Sequence, residues 1–152
     1  MKLVIKQKLV ALSDSFNVYD EQDNIKYKIV ADIVSVTPTY RVFDSNDKLL
    51  GVIRRKIVSA LPTYIITIDD KEVGKISKKL SFVHPKYDIQ YKGYKAVGDI
   101  WTWNFKVENS DGKPVANIKK ELMHLTSVHA IDILDDKSEI DIVMLIVIIE
   151  ED

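Results

Sequence analysis

The chain has 152 residues, 46% of them hydrophobic and 30% charged, with net charge -1 and no cysteine. It is long enough to bury a core without disulfide or metal staples, and too apolar and too nearly neutral for intrinsic disorder. The lack of cysteine excludes a disulfide scaffold, a thiolate metal site, a thiol nucleophile and S-palmitoylation, and it fits a reducing cytoplasm. In the opening MKLVIKQKLVAL, Lys6, Gln7 and Lys8 interrupt any apolar core of a signal peptide. The longest apolar run, Ile142 to Ile149, is eight residues, where a spanning helix needs roughly 20. A cytoplasmic chain that does not cross the bilayer is therefore expected.

The near-neutral total hides two unlike parts. Residues 1 to 121 carry 21 Lys and Arg against 15 Asp and Glu, whereas residues 122 to 152 carry 1 against 8. A moderately basic body attracts anionic partners, and an acidic tail serves solubility or covers that body.

Turn-forming clusters recur along the body at DEQDN (20 to 24), DSNDK (44 to 48) and DDK (69 to 71). A period of 24 aligns Phe16 with Tyr40 and Tyr64, Val18 with Val42 and Ile66, and Ile25 with Leu49 and Val73. Alternation of period two on both sides of an Asp/Asn-rich turn is the signature of a β-hairpin. The pattern continues with Tyr87, Ile89 and Tyr91 before a turn at Lys92 and Gly93. Trp101, Trp103, Phe105 and Val107 then lead into NSDGK (109 to 113), and Val128 and Ala130 lead to DDK (135 to 137). This predicts six hairpins and about twelve strands. Closing the sheet into an antiparallel barrel removes the exposed edges of so many strands. Trp101 and Trp103 are expected on one strand face, as wall against a central element rather than as a stacking platform.

The last segment, SEIDIVMLIVIIEED, is apolar on every face from Ile142 to Ile149, so it must be wholly surrounded, either as a central strand or as a helix threaded through a core. Ser138 as N-cap, with Glu139 and Asp141 in a first turn, supports the helix. Periodicity does not separate the two.

Hairpins followed by one hydrophobic C-terminal segment resemble the tubby C-terminal-like fold, and more narrowly the LURP-one-related family in its small bacterial members. The residues that carry the likeness are FNVYD (16 to 20), YRVFDSNDKLLGVIRRK (40 to 56), PTYIIT (62 to 67), VGKISKK (73 to 79), WTWNFKV (101 to 107), GKPVANIKKE (112 to 121) and IDIVMLIVIIEED (140 to 152). The resemblance implies one domain over residues 1 to 152, mainly β, with twelve antiparallel strands around a central helix at about 139 to 149. It also implies kinship with phosphoinositide-binding tubby domains and with phospholipid scramblases. The chain lacks the scramblases' cysteine cluster and long spanning segment, and no residue matches the tubby phosphoinositide site one for one.

No GxSxG, GxGxxG, Walker GK[ST], HExxH or DxDxDG pattern is present, and no enzyme activity, cofactor or metal site is expected. His124 and His129 are five apart, which on a strand puts them on opposite faces, and His84 belongs to a distant hairpin. The acidic clusters suit calcium in composition, but they fall where turns already require Asp and Asn. The basic groups are stronger candidates. Arg54, Arg55 and Lys56 come after Ile53, Lys78 and Lys79 after Ile76, and Lys119 and Lys120 after Ile118, each on the second strand of a hairpin. One member of each group shares the parity of its isoleucine, so its stem packs near the barrel end and its charge reaches water. Such a rim suits phosphate oxygens, with bidentate contacts from arginine and point charges from lysine.

The leading expectation is a non-enzymatic module that binds anionic phospholipid or phosphoinositide headgroups peripherally through this rim. The alternative is a structural or protein-interaction domain without a lipid ligand. Nucleic acid is not an expected partner, and a barrel filled by its own helix leaves little room for a small-molecule enzyme.

Overall fold

The computed structural model describes residues 1–6, 15–32, 36–58, 61–81, 84, 86–123 and 125–151, the side chains of 57, 58 and 151 excepted. His124 lies outside them. Twelve strands precede one helix. They are β1 (Lys2–Lys6), β2 (Phe16–Tyr19), β3 (Ile25–Asp32), β4 (Thr39–Asp44), β5 (Leu49–Val58) and β6 (Leu61–Ile68), then β7 (Lys71–Lys79), β8 (Lys86–Gln90), β9 (Lys95–Asp99), β10 (Asn104–Glu108), β11 (Pro114–Met123) and β12 (Thr126–Ile133). A 3-10 turn at Asp136–Ser138 leads into α1 (Glu139–Glu151).

The strands form a single antiparallel sheet in the order β8-β7-β6-β5-β4-β3-β2-β1-β12-β11-β10-β9, which curls into a nearly closed barrel. The 24-residue period is structural. Phe16, Tyr40 and Tyr64 are buried, as are Val18, Val42 and Ile66, while Ile25, Leu49 and Val73 are all exposed just after their turns. Even the register shifts repeat, at Val18/Tyr19, Val42/Phe43 and Ile66/Thr67. The first two turns are built alike: Asp20 accepts from the N–H groups of Gln22 and Asn24 at 2.9 Å, and Asp44 from those of Asn46 and Lys48 at 2.8 and 3.0 Å. Asn109 does the same for Asp111 and Lys113 at 3.0 Å. Asp23 and Asp47 take left-handed backbone angles, and Asp69 and Asp70 form a two-residue turn with φ of 52° and 61°, as a type I′ hairpin needs. The acids are there for the turns. In Asp20, the N–H of Asn24, helped by that of Gln22, holds the carboxyl below its ordinary range.

Two expectations need correction. DDK at 135 to 137 is not a sixth hairpin turn: Asp135 caps the 3-10 turn by accepting from the Lys137 N–H at 3.2 Å and from Ser138 Oγ at 3.0 Å. Ser138 is the last residue of that 3-10 turn, directly before the helix, and the count of twelve is completed by β1, which pairs with β12 from Lys2↔Asp132 to Lys6↔Val128. Trp101 and Trp103 lie in the tight turn between β9 and β10, not on a strand. Trp103, with φ of 56°, donates its backbone N–H to Ile100 O, and Trp101 projects outward instead of joining the wall.

The last segment is a helix, and Ile142 through Ile148 are each at most 2% exposed. Around it pack Ile53, Tyr64, Ile66, Ile76, Phe105, Ile118 and Ile131. Polar groups fix its start. Asp141, buried, accepts from the hydroxyls of Tyr91 (2.5 Å) and Tyr94 (2.7 Å) and from Lys92 Nζ (3.1 Å). Glu139 is bonded by the Tyr27 hydroxyl and by Lys26 Nζ at 3.0 Å. Both acids sit at the helix N-terminus, where exposed N–H groups favour negative charge.

Burial, and then the bond to a carboxylate, push the hydroxyls of Tyr27 and Tyr91 far up. Burial also raises Tyr94, to about 12, opposed by Ser138 and aided by Asp141. Folding thus favours the neutral phenols, so this stability is fully present below the unfolded value of about 10 and is lost as pH rises through the folded values. At least three of the seven tyrosines, Tyr27, Tyr91 and Tyr94, should stay un-ionised at about pH 11 in an ultraviolet titration and ionise only with unfolding. Ile146→Asp places an unpaired charge on the buried axis and should cost several kcal/mol; an unchanged melting temperature would sink the buried-axis assignment.

Candidate anion-binding site at the basic end of the barrel

Every neighbouring pair of strands is antiparallel, so the odd strands all run one way. The connections after even strands gather at one end, the turn end, where α1 enters. Those after odd strands gather at the other, the loop end, toward which α1 points its C-terminus. At the turn end lie Asp20, Glu21, Asp23, Asp44, Asp47, Asp69, Asp70 and Asp111, followed by the acids around the start of α1. The basic groups lie on the halves of β5, β7 and β11 nearer the loop end.

The ladder shows which of them meet. Arg55 has the interior parity of Ile53 and stands opposite Tyr64, which stands opposite Ile76, so Lys78 lies two residues nearer the loop end than the level of Arg55. Arg55 is half-buried, its backbone N–H donates to Pro38 O at 2.9 Å, and its Nε is buried without a partner among the described residues. Arg54 and Lys56 are exposed on the outer parity, and Lys78 is half-buried opposite Tyr87. Lys119 and Lys120 are exposed on β11, opposite Ala130 and His129, and β8, β9 and β10 separate that strand from β7 across the open junction. The groups therefore form an arc around one end rather than a single cluster.

That junction is the feature the sequence did not disclose. β8 and β9 are joined by a tight turn at Lys92 and Gly93, with φ of 50° and 75° and Tyr94 N–H bonded to Tyr91 O. The flanking tyrosines turn inward to hold Asp141. Beyond them the strands do not pair: β8 is held by β7 and β9 by β10. Toward the loop end the separation opens into a cleft of about 500 Å³ lined by Lys79, His84, Lys86, Tyr87, Gly98 and Asp99, among others. Lys79 and Lys86 face each other directly across the β7–β8 ladder, and no salt bridge engages either among the described residues. Like charges directly opposed on a strand pair are unfavourable, and an anion between them removes the penalty. The His84 ring lies 6.3 Å from that of Trp101.

His129 is placed differently. Its ring stacks on Trp103 at 3.7 Å, and its Nδ1 lies 2.8 Å from Glu150 Oε2, so it ties β12 and the β9–β10 turn to the end of α1. A smaller cleft of about 230 Å³ on β1 and β12 is lined by Asp20, Glu21 and Asp23 and crossed by the 2.8 Å Lys6–Asp23 ion pair. Its acids suit an anion poorly.

A family model, LURP-one-related, matches residues 1–150. The chain belongs to the LURP-one-related family. It is 27% identical over 129 residues to the uncharacterised protein YxjI of Bacillus subtilis (strain 168), covering 85% of this chain and 80% of that protein. A protein of Arabidopsis thaliana solved by X-ray crystallography matches with a TM-score of 0.64 at 12% identity, over 99% of this chain and 89% of that one. At that identity the likeness concerns the fold.

Reversing one charge of the opposed pair, as in Lys86→Glu, should raise stability at low salt by ~0.2–1 kcal/mol, with the gain shrinking as salt is added. A melting temperature that is unchanged or lower at low ionic strength would show that the two lysines do not repel.

Proposed function

We propose that this LURP-one-related domain is a non-enzymatic binding module whose basic end takes an anionic, phosphate-bearing group. The observation that carries the reading is the Lys79–Lys86 pair, two like charges held opposite each other beside an open cleft. Arg54, Arg55 and Lys56 on β5, Lys78 beside the pair, and Lys119 and Lys120 beyond the junction extend the positive field around it. Phosphate oxygens suit these donors, singly for lysine and as a bidentate contact for arginine. The resemblance to tubby-like domains, which bind phosphoinositides, is one of fold pattern and not of their binding residues; it favours the same class of ligand, and among the described residues no helix is long and apolar enough to cross a membrane.

A second reading, a protein-interaction domain, draws on the unpaired edges of β8 and β9, since an open strand edge can accept an extended peptide.

Co-sedimentation with vesicles of neutral lipid, or of neutral lipid plus an anionic phospholipid, tests the first reading at low and physiological salt, with a soluble inositol polyphosphate in a parallel arm. Binding should require the phosphate-bearing anion, fall as salt rises, and weaken about tenfold or more in Lys79→Glu/Lys86→Glu, since two charge reversals each remove ~1 kcal/mol or more of attraction. Binding indifferent to salt and to these substitutions, or absent from both arms, would overturn it.

A further inference from the structure

The phosphate-binding reading leaves the source of the phosphate open, and the apolar surface narrows it. Among the described residues, the large apolar side chains more than half exposed are Val36, Leu80, Trp101, Leu122 and Leu125. All five lie at the loop end. Val36 is in the β3–β4 connection, Leu80 follows β7, Trp101 is in the β9–β10 turn, Leu122 is on β11 next to its turn, and Leu125 is in the β11–β12 turn. At the turn end no large apolar residue is more than half exposed, and the tips carry acids except for the Lys92–Gly93 turn.

These residues stand in two levels along the barrel axis. Lys78 and Lys79 precede Leu80, and Lys119 and Lys120 precede Leu122. Val36 stands two residues before Pro38, whose carbonyl accepts from the Arg55 N–H, and Trp101 lies by His84 at the mouth of the cleft that holds Lys79 and Lys86. Cations thus lie behind, and aliphatic and indole groups in front, around much of one end. A bilayer has the complementary order, with phosphates outermost and acyl chains beneath. The tips are separate points on a ring, which suits a fluid surface better than the continuous apolar patch of a protein interface.

We infer that the loop end docks on a lipid bilayer bearing anionic headgroups, with Leu80, Trp101 and Leu125 entering the interface and the basic residues behind them holding phosphates. This rests on the phosphate-binding reading and adds the partner and the orientation. Acids also stand at that end and limit the attraction: Asp32 is exposed at the end of β3 and Asp99 lines the cleft, whereas Glu121 is paired with Lys2 and Glu150 is engaged by His129.

The two tryptophans provide the test. Trp101 is exposed, whereas Trp103 is half-buried, packed against the core and stacked on His129. Vesicles of neutral lipid plus anionic phospholipid, with bromine on the acyl chains near the headgroup, should quench and blue-shift the emission of the native protein. They should leave Trp101→Phe, which retains only Trp103, unquenched. Leu80→Ser/Trp101→Ser/Leu125→Ser, altering exposed positions only, should lose about tenfold in vesicle affinity while keeping its affinity for soluble inositol polyphosphate. Vesicle binding without quenching, and unaffected by the serine substitutions, would overturn insertion and leave phosphate binding standing. Binding of the soluble polyphosphate without binding to vesicles would overturn the bilayer as partner. No binding to either would overturn the phosphate reading and this inference together.

Discussion

A helix that is apolar on every side has no stable place in water, and the architecture of this protein follows from covering one. From Ile142 to Ile148 each residue is nearly inaccessible to solvent, so α1 cannot lie on a surface with one face wet. Strands from all round the sheet contribute to its cover, which is why the sheet curls. The same constraint makes the helix N-terminus the costly point, because polar backbone and two acids must enter at the mouth of an apolar channel. Tyr27, Tyr91, Tyr94, Lys26 and Lys92 meet that cost. They come from β3 and from the β8–β9 turn, which places polar partners against both Glu139 and Asp141.

The electrical polarity of the barrel follows from its turns. Tight connections after the even strands need side chains that accept backbone N–H groups and tolerate left-handed angles, and Asp and Asn do both. Antiparallel pairing then collects all those turns at one end, so acids selected for local geometry sum to a negative end. With total charge near zero, the opposite end is left with an excess of Lys and Arg. The helix lies parallel to this polarity, its N-terminus among the acids and its C-terminus toward the basic residues. Glu150 and His129 meet where it ends.

What was legible in the sequence was what is local. The period of 24 was visible because each turn carries its own chemistry within five residues, and it matched the structure down to the register shifts. The C-terminal segment was legible as surrounded, but its helical form came from the family likeness, since an all-apolar run has no periodicity to read. The β1 strand was missed because its five residues lack an adjacent turn and pair with β12, over 120 residues away. Alternation misassigned Trp101: its spacing to Trp103 and Phe105 imitates a strand, while the backbone turns at Trp103. The basic groups were readable as charges, but the Lys79–Lys86 opposition depends on the β7–β8 register. The junction beside it depends on the absence of a pairing, and neither leaves a mark on one-dimensional spacing.

A barrel filled by its own chain has given up its interior as a binding site. Ligand recognition in barrels commonly uses the enclosed volume, and here that volume is occupied by isoleucine, valine and methionine side chains. Under the proposed reading, recognition falls to the ends of the barrel and to the junction where the sheet does not close. The turn end is committed to holding the helix, since its polar groups already bond one another and Asp141 has three partners of its own. The loop end is free of that task. It carries the surplus positive charge, the open junction and the exposed Leu80, Trp101 and Leu125, none of which the fold needs for its core. Substitutions there should cost little stability, whereas the same changes among Tyr91, Tyr94 and Asp141 would loosen the helix that shapes the whole barrel.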